Sequence, residues 1–421
     1  MKRFNIIAVL STIFFLAGHA ADPTATRYSF ADCQGSLRPY PTPSSAVTVP
    51  DSLTPVYISH VGRHGARFPS SAKNSLAMRA ALLKADSIGT ITSLGQELLR
   101  ITNLVISASD GRWGALDSLG MAEQRGIASR MVMNFPELFA SGGKINAISS
   151  YSPRAMMSMY SFTHQMDRLN NKFEFTTTTG RQNSILMRPF DVDQDYLDFR
   201  KSNEWKPAYD LHIAQTCPTT AIRRVLGEKY PFADKTQERD LALTEYYVIA
   251  GLSAMGISYD PLKLFTIEEY NALWSCFNMR QYLQRTATTI STVPADIAGP
   301  LVLNIVTGIE GIIEGNNSAV ADLRFGHAET LMPLASLLRL PGCYYLTNYF
   351  DTVGLHWRDF DVVPMAANIQ FILFKTDSGH CYLRTDYNER PVKLIPNDER
   401  IYLPWSEARD YMLRCVPVYM Q

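Results

Sequence analysis

Arg63-His64-Gly65-Ala66-Arg67-Phe68-Pro69 follows directly on Pro55-Val56-Tyr57-Ile58-Ser59-His60-Val61, an extended run rich in β-branched and aromatic residues. The pair reads as a strand that ends in a loop shaped by Gly65 and Pro69. One imidazole there lies between two guanidiniums. Arginine forks match phosphate oxygens bidentately and do not lose their charge. A histidine in that setting is held near the phosphorus of any phosphate the arginines capture, which points to phosphoryl transfer through a covalent phosphohistidine. The rival reading is an ordinary turn with solvated charges, since short motifs recur by chance.

Two further segments repeat the design. Lys144-Ile145-Asn146-Ala147-Ile148-Ser149-Ser150-Tyr151-Ser152 reads as a strand running into Pro153-Arg154 and a helical pattern from Ala155 to Tyr160. Ser152 suits the N-cap and Pro153 the first helical position, which places Arg154 in the first turn. Later, Ala321-Asp322-Leu323-Arg324-Phe325-Gly326 leads into His327-Ala328-Glu329, and Thr330 to Leu338 begin another helix. Three strand-to-helix turns thus each deliver Arg or His to a positive helix terminus. In open α/β sheets, ligands bind at the carboxyl ends of the strands, and helix N-termini favour anions.

These motifs resemble those of the histidine acid phosphatases, the branch-two histidine phosphatases, whose signature is similar to Arg63-His64-Gly65-Ala66-Arg67-Phe68-Pro69. Most members carry His-Asp at the second site. The triplet His327-Ala328-Glu329, within Phe325 to Leu331, instead resembles the multiple inositol polyphosphate phosphatases. Met187-Arg188-Pro189-Phe190-Asp191 is also similar to a motif of that subfamily, with Pro189 in place of an aromatic residue. The resemblance runs from about Tyr57 to Arg390 and is weakest between Arg200 and Asp260. It implies a discontinuous α/β sandwich domain with a central, mostly parallel sheet, an inserted α-helical cap domain, and an active site between them.

The change of pattern along the chain agrees with that layout. Strand-helix alternation up to about Asn183 resumes near Ala298, and the stretch between is mostly helical. Leu241 to Leu252 is apolar at helical spacing, and Thr266-Ile267-Glu268-Glu269 is a capping box that opens a helix through Arg285. The expected division is residues 21–185 and 297–421 for the α/β domain and 186–296 for the cap. Ile369 to Phe374 and Lys393-Leu394-Ile395 read as strands, with a turn near Asp377-Ser378-Gly379.

Length and composition fit this reading. With 421 residues, 46% of them hydrophobic, the chain can bury a large core. Forty basic and forty acidic residues leave no net charge, so no global field favours nucleic acid. Lys2 and Arg3 precede an apolar run from Ile6 to Leu16 and the small residues of Gly18-His19-Ala20. That run is too short to span a bilayer, so residues 1–20 read as a signal peptide cleaved near Ala20 or Ala21. The expectation is an exported protein, periplasmic or secreted, without stable membrane insertion. The end Pro417-Val418-Tyr419-Met420-Gln421 carries no endoplasmic-reticulum retention signal, unlike many animal members of the subfamily.

Cys33, Cys217, Cys276, Cys343, Cys381 and Cys415 form an even set, as an oxidising compartment would allow. Six cysteines admit fifteen connectivities, among which Cys217 with Cys276 would staple the middle of the chain. None shows zinc-ligand spacing, and none lies in a Gly-rich anion loop with Arg.

The resemblance and the residues together assign His64 as nucleophile, with Arg63, Arg67, Arg154 and His327 gripping the phosphate. The arginines disfavour imidazolium and neutralise charge in the transition state. Glu329 is the expected general acid, which then activates water against the phosphohistidine. No metal or other cofactor is expected, because the arginines take that role. Two residues carry rival roles. Glu329 could cap its helix, and Arg188, the candidate substrate contact, could pair with Asp191 or Asp193. His60, His164, His212, His356 and His380 read as structural.

A polyphosphorylated inositol is the implied substrate, and it would want a basic cleft. Residues 181–240 hold ten basic and ten acidic residues, so composition does not reveal one. Arg181, Arg188, Arg200, Lys201, Arg223 and Arg224 are the candidates. The alternatives are a broad acid phosphatase acting on sugar or aryl phosphates, a mutase, which export disfavours, and a non-catalytic polyanion-binding protein. Oligomeric state is open.

Overall fold

The computed structural model describes residues 28–44 and 48–420. The expected signal peptide lies outside them. The strands are β1 (Thr54–Arg63), β2 (Gly143–Ser149), β3 (Phe173–Thr179), β4 (Ala319–Gly326), β5 (Asn368–Lys375), β6 (Cys381–Tyr387), β7 (Arg390–Val392) and β8 (Tyr402–Pro404). They form one sheet in the order β3-β2-β4-β1-β5-β6-β7, with β8 also on β6. The pairs β2–β3, β2–β4 and β1–β4 are parallel, whereas β5 joins β1 antiparallel. The expected α/β fold with a parallel core is what forms, and β1 and β4 are central in it.

Side chains alternate across the central strands. Tyr57 and Val61 of β1, with Ile369, Phe371 and Leu373 of β5, belong to one buried cluster, while Ile58, Ile372 and Phe374 belong to another. The helices Ser118–Asn134 and Pro153–Leu169 cover the second face through Ile127, Met131, Met159 and Phe162. The helices Gly299–Ile313, Ala328–Leu337 and Trp405–Cys415 cover the first. Val293–Ile313 is long and apolar enough to cross a membrane. Here Leu301, Val302, Ile305, Val306 and Ile309 of that segment are buried in the sheet's core. Each such Leu or Phe contributes about 1.5–3 kcal/mol of burial, and Phe325→Ala in β4 would cost about 3–5 kcal/mol.

A third core lies in a helical lobe. It joins Met78 and Leu82 of helix Lys73–Ser87, Leu98 and Val105 of Ser93–Ser109, Tyr246 of Lys235–Ala250 and Tyr270 of Ile267–Arg285. Helix Ile267–Arg285 starts at the capping box read from sequence: Thr266 accepts from the Glu269 N–H, and Glu269 accepts from the Thr266 N–H.

Two expectations about elements need correction. Lys393 to Ile395 is not a strand; pairing with β6 is made by Arg390–Val392 just before it. The apolar Leu394 and Ile395 instead pack on the core from a loop. At β1 the chain does not turn straight into a helix. It runs through residues 64–72, with Arg67 bridged to Leu116, before helix Lys73–Ser87.

Candidate active site

β1, β2 and β4 are adjacent and parallel, so Arg63, Ser149 and Gly326 end at one edge of the sheet. The residues that follow them meet there. The His64 N–H donates to the Gly326 carbonyl at 3.1 Å, and the Ser150 N–H donates to the Phe325 carbonyl at 3.0 Å. Ser152 is the N-cap of helix Pro153–Leu169, as the sequence suggested, and His327 is that of Ala328–Leu337, which starts two residues before the Thr330 expected from sequence.

Polar side chains clamp the nucleophile loop from outside. Gln124 donates to the Arg63 carbonyl at 2.9 Å, and Glu123 accepts from the Ala66 N–H at 2.7 Å. The Ser158 hydroxyl accepts from the Gly65 N–H at 3.1 Å and donates to the Arg154 carbonyl at 2.8 Å. Gly65 must be glycine here, because a Cβ would lie 2.4 Å from the Gly120 carbonyl oxygen.

Geometry fixes the tautomer of His64. Its Nδ1 lies 2.9 Å from the Gly65 carbonyl oxygen. A carbonyl only accepts, so Nδ1 carries the proton and Nε2 keeps its lone pair. Burial, then the charges of Arg154, Arg63 and Arg67, hold the imidazole well below its ordinary pKa. His64 is therefore a neutral, oriented base.

The guanidiniums around it are electrostatically unsatisfied. Burial and then Arg67 bring Arg63 down to about 9, and the same two causes bring Arg154 down to about 10. The Nε atoms of Arg63, Arg67 and Arg154 are buried without a hydrogen-bond partner among the described residues. An anion between these groups would relieve the mutual repulsion and take up the orphaned donors. Arg63 is rigid as well as charged, since its Nη1 donates to the Ser36 and Val363 carbonyls.

His327 stands beside His64, with ring centroids 5.5 Å apart. Its Nε2 is 2.9 Å from Arg188 Nη1 and 2.8 Å from the Ser150 hydroxyl. Arginine can only donate, so Nε2 accepts and Nδ1 holds the proton. That Nδ1 lies 3.3 Å from Arg154 Nη2, itself a donor. Two donors facing each other call for an acceptor between them, and a phosphate oxygen meets that need. Arg188 thus acts on His327 while its Nε pairs with Asp191 at 2.6 Å. Both roles weighed for it bear on the geometry, one through the imidazole and one through the carboxylate.

Glu329 lies in the first turn after His327, 3.2 Å from Arg285 Nη1, with its side chain 31% exposed. Burial pushes its carboxyl up, but the charges of Arg285 and Arg63 outweigh that and bring it to about 2. In the free site it is a carboxylate.

Arg63, His64, Arg67, Arg154 and Glu329 line one cleft of about 340 Å³, together with Ser36, Ser70, Asn74, Tyr247, Arg280, Gln281 and Arg285. Arg280 and Arg285 were not among the basic residues read from sequence. A signal existed: Phe277, Arg280, Gln281 and Arg285 share one face of a helix that is otherwise buried. Of the residues proposed instead, Arg223 pairs with Glu238, and Arg224 with Glu269 at 2.6 Å. Lys201 lies at the surface beside Asp198. His60 is buried with both ring nitrogens unpartnered among the described residues, and His212 faces Ser275.

Residues 57–395 match the family model for the histidine phosphatase superfamily, branch 2. The chain belongs to that family. It is a histidine-type phosphoric monoester hydrolase by membership. Multiple inositol polyphosphate phosphatase 1 from Homo sapiens is 24% identical over 386 residues, covering 85% of this chain and 77% of the relative. The Gallus gallus protein of the same name is 24% identical over 388 residues, covering 86% and 80%. The same fold occurs in the Bifidobacterium longum multiple inositol polyphosphate phosphatase complexed with inositol hexasulfate. That match has a TM-score of 0.77 at 20% identity and covers 92% of this chain and 99% of the other. The D. castellii phytase matches with a TM-score of 0.67 at 16% identity, covering 95% and 89%.

Proposed function

We propose that this branch 2 histidine phosphatase is an exported enzyme that hydrolyses inositol polyphosphates such as inositol hexakisphosphate, through a covalent phosphohistidine on His64. The observation that carries the reading is the His64 ring, with Nδ1–H tied to the Gly65 carbonyl and Nε2 bare among Arg63, Arg67 and Arg154. The substrate class draws support from Arg280 and Arg285 on the cleft wall and from the inositol polyphosphate phosphatases among its relatives.

In the first step the lone pair of His64 Nε2 attacks phosphorus as the P–O bond to the inositol breaks. The three arginines and the His327 Nδ1–H hold the equatorial oxygens, so charge leaving the ester is met by fixed donors. The leaving alkoxide takes a proton from Glu329. In the second step Glu329, now a carboxylate, takes a proton from water as it attacks phosphorus and the N–P bond breaks.

Glu329 starts as a carboxylate in the free site, so its proton must arrive with the substrate. A phosphate group bound among the arginines cancels the positive charge that holds Glu329 low, and a monoanionic phosphate brings a proton with it. Phosphate monoanion with carboxylate, and dianion with carboxylic acid, have the same overall composition. Binding shifts the proton between them.

The test is time-resolved product profiling with inositol hexakisphosphate beside a simple aryl phosphate. Stepwise release with a clear kcat/KM advantage for the inositol ester supports the reading. Comparable kcat/KM for both would make it a broad acid phosphatase, and binding without release a polyanion-binding protein. Intact mass of the exported form tests cleavage near Ala20.

A further inference from the structure

Cys217 and Cys276 are far apart in sequence, yet His212 of the helix that ends at Cys217 lies 3.2 Å from the hydroxyl of Ser275, the neighbour of Cys276, and each thiol shifts the other's ionisation. Cys217 is the residue that ends helix Lys206–Thr216, and Cys276 sits fully buried in the middle of helix Ile267–Arg285. The two helices pack together. All six cysteines are thiols in this structure. Those of Cys33, Cys343 and Cys381 are directed at backbone carbonyls.

We propose that Cys217 and Cys276 form a structural disulfide by exchange with a disulfide donor, and that this cross-link anchors the helix whose opposite end carries Arg280 and Arg285 into the cleft. The inference stands apart from the phosphatase reading, since it needs no catalysis.

The pair is asymmetric in a way that gives the reaction an order. Cys217 is half-buried, with its sulfur 3.9 Å from the Pro218 and Arg239 carbonyl oxygens, whereas Cys276 is sealed in the core. The neighbouring Cys276, and then Arg239, lower the Cys217 thiol, although burial opposes them. Cys217 is therefore both the accessible sulfur and the one that ionises more readily, which is what an attacking thiolate requires. It would attack one sulfur of the donor, breaking the donor's S–S bond and forming a mixed disulfide. Cys276 would then attack the Cys217 sulfur, forming the internal S–S bond and expelling the second donor thiolate. The two thiol protons go to the two donor thiolates. The donor is reduced to its dithiol form and the protein loses two hydrogens. The helices that carry them already pack together, so side-chain rotation is the movement needed to bring the sulfurs to the bonded separation of about 2.05 Å.

The consequence is mechanical. Helix Ile267–Arg285 runs from the capping box at Thr266, past Cys276, to Arg285. Fixing its middle to the end of Lys206–Thr216 closes a long loop and restricts the unfolded chain, with a larger effect for longer loops.

The experiment uses the full chain with oxidised glutathione as donor, followed by alkylation and digestion without reduction. The expected result is a linked pair of peptides containing Cys217 and Cys276, lighter by two hydrogens than the separate thiol forms. The oxidised protein should unfold several degrees above the reduced protein, and Cys217→Ser should abolish that difference. Alkylation of both residues in the oxidised protein overturns the proposal. So does linkage of either one to a different cysteine, or an equal thermal shift in Cys217→Ser. If the variant fails to fold, the peptide map of the parent protein decides by itself.

Discussion

Arg285 Nη1 lies 3.2 Å from Glu329 Oε1 and, from a helix of the other lobe, sets the protonation state of the expected proton donor. The Arg285 Nε donates to Gln281 at 2.6 Å, and the Gln281 amide donates to the Ser36 hydroxyl at 3.2 Å. Ser36 in turn accepts from Arg63 through its carbonyl. Glu329 and Arg63 are thus tied to one network.

Removing that charge should be visible in the pH profile. In Arg285→Gln, Glu329 loses the cation that lowers it most, so its pKa should rise by about one unit or more. A donor with a higher pKa keeps its proton to higher pH. The alkaline limb of kcat for an inositol phosphate, which reports the bound complex in which Glu329 holds the proton, should therefore move to higher pH in the variant. A weaker KM with an unmoved limb would make Arg285 a substrate contact only.

Glu329→Gln should hurt substrates according to how badly their leaving groups need a proton. An inositol alkoxide should lose a factor of about a hundred or more in its first turnover, the usual scale of general acid catalysis. A nitrophenolate leaves without help and should lose far less. Single-turnover rates are needed, because in the proposed mechanism hydrolysis of the phosphoenzyme also uses Glu329. Equal losses would leave Glu329 with positioning or helix capping.

Stability should fall as the solution is acidified from neutral. His60, His64 and His327 are buried and held neutral, by burial first and then by Arg324 for His60 and Arg154 for the other two. In the unfolded chain each takes up a proton near pH 6.5. Below that pH the unfolded state binds more protons, so each histidine removes about 1.4 kcal/mol per pH unit. Glu329 acts in the same direction at lower pH, between its unfolded value near 4.5 and about 2. Thermal midpoints measured between pH 7 and 5 should decline, and His60→Phe should flatten the decline. A midpoint that rises on acidification would contradict the neutral assignment.

Activity should survive extended treatment with a chelator. In the proposed mechanism Arg63, Arg67 and Arg154 supply the positive charge that metallophosphatases draw from cations held by carboxylates. Loss of turnover that zinc or magnesium restores would overturn the arginine-based account.

The central residues were readable in sequence because each is adjacent to a strand that announces itself. His64, Arg154 and His327 follow β1, β2 and β4, and a parallel sheet brings such ends to one edge whatever the rest of the chain does. Arg280 and Arg285 were missed because they reach the cleft across the lobe boundary, from a helix far away in sequence. Arg223 and Arg224 misled for the opposite reason. Their charges are taken up by Glu238 and Glu269, partners that no local pattern reveals. The misread strand at Lys393 to Ile395 has a similar cause, since a buried loop can be as apolar as a strand.

Rapid-quench trapping with a labelled phosphate monoester tests most directly whether His64 is the nucleophile. The parent protein should yield an acid-labile, base-stable phosphoenzyme with the label on His64, formed and discharged at rates consistent with turnover. His64→Ala should yield none and lose turnover while still folding and binding inorganic phosphate. Substantial turnover in His64→Ala, or a label recovered on another residue, would contradict the phosphohistidine mechanism.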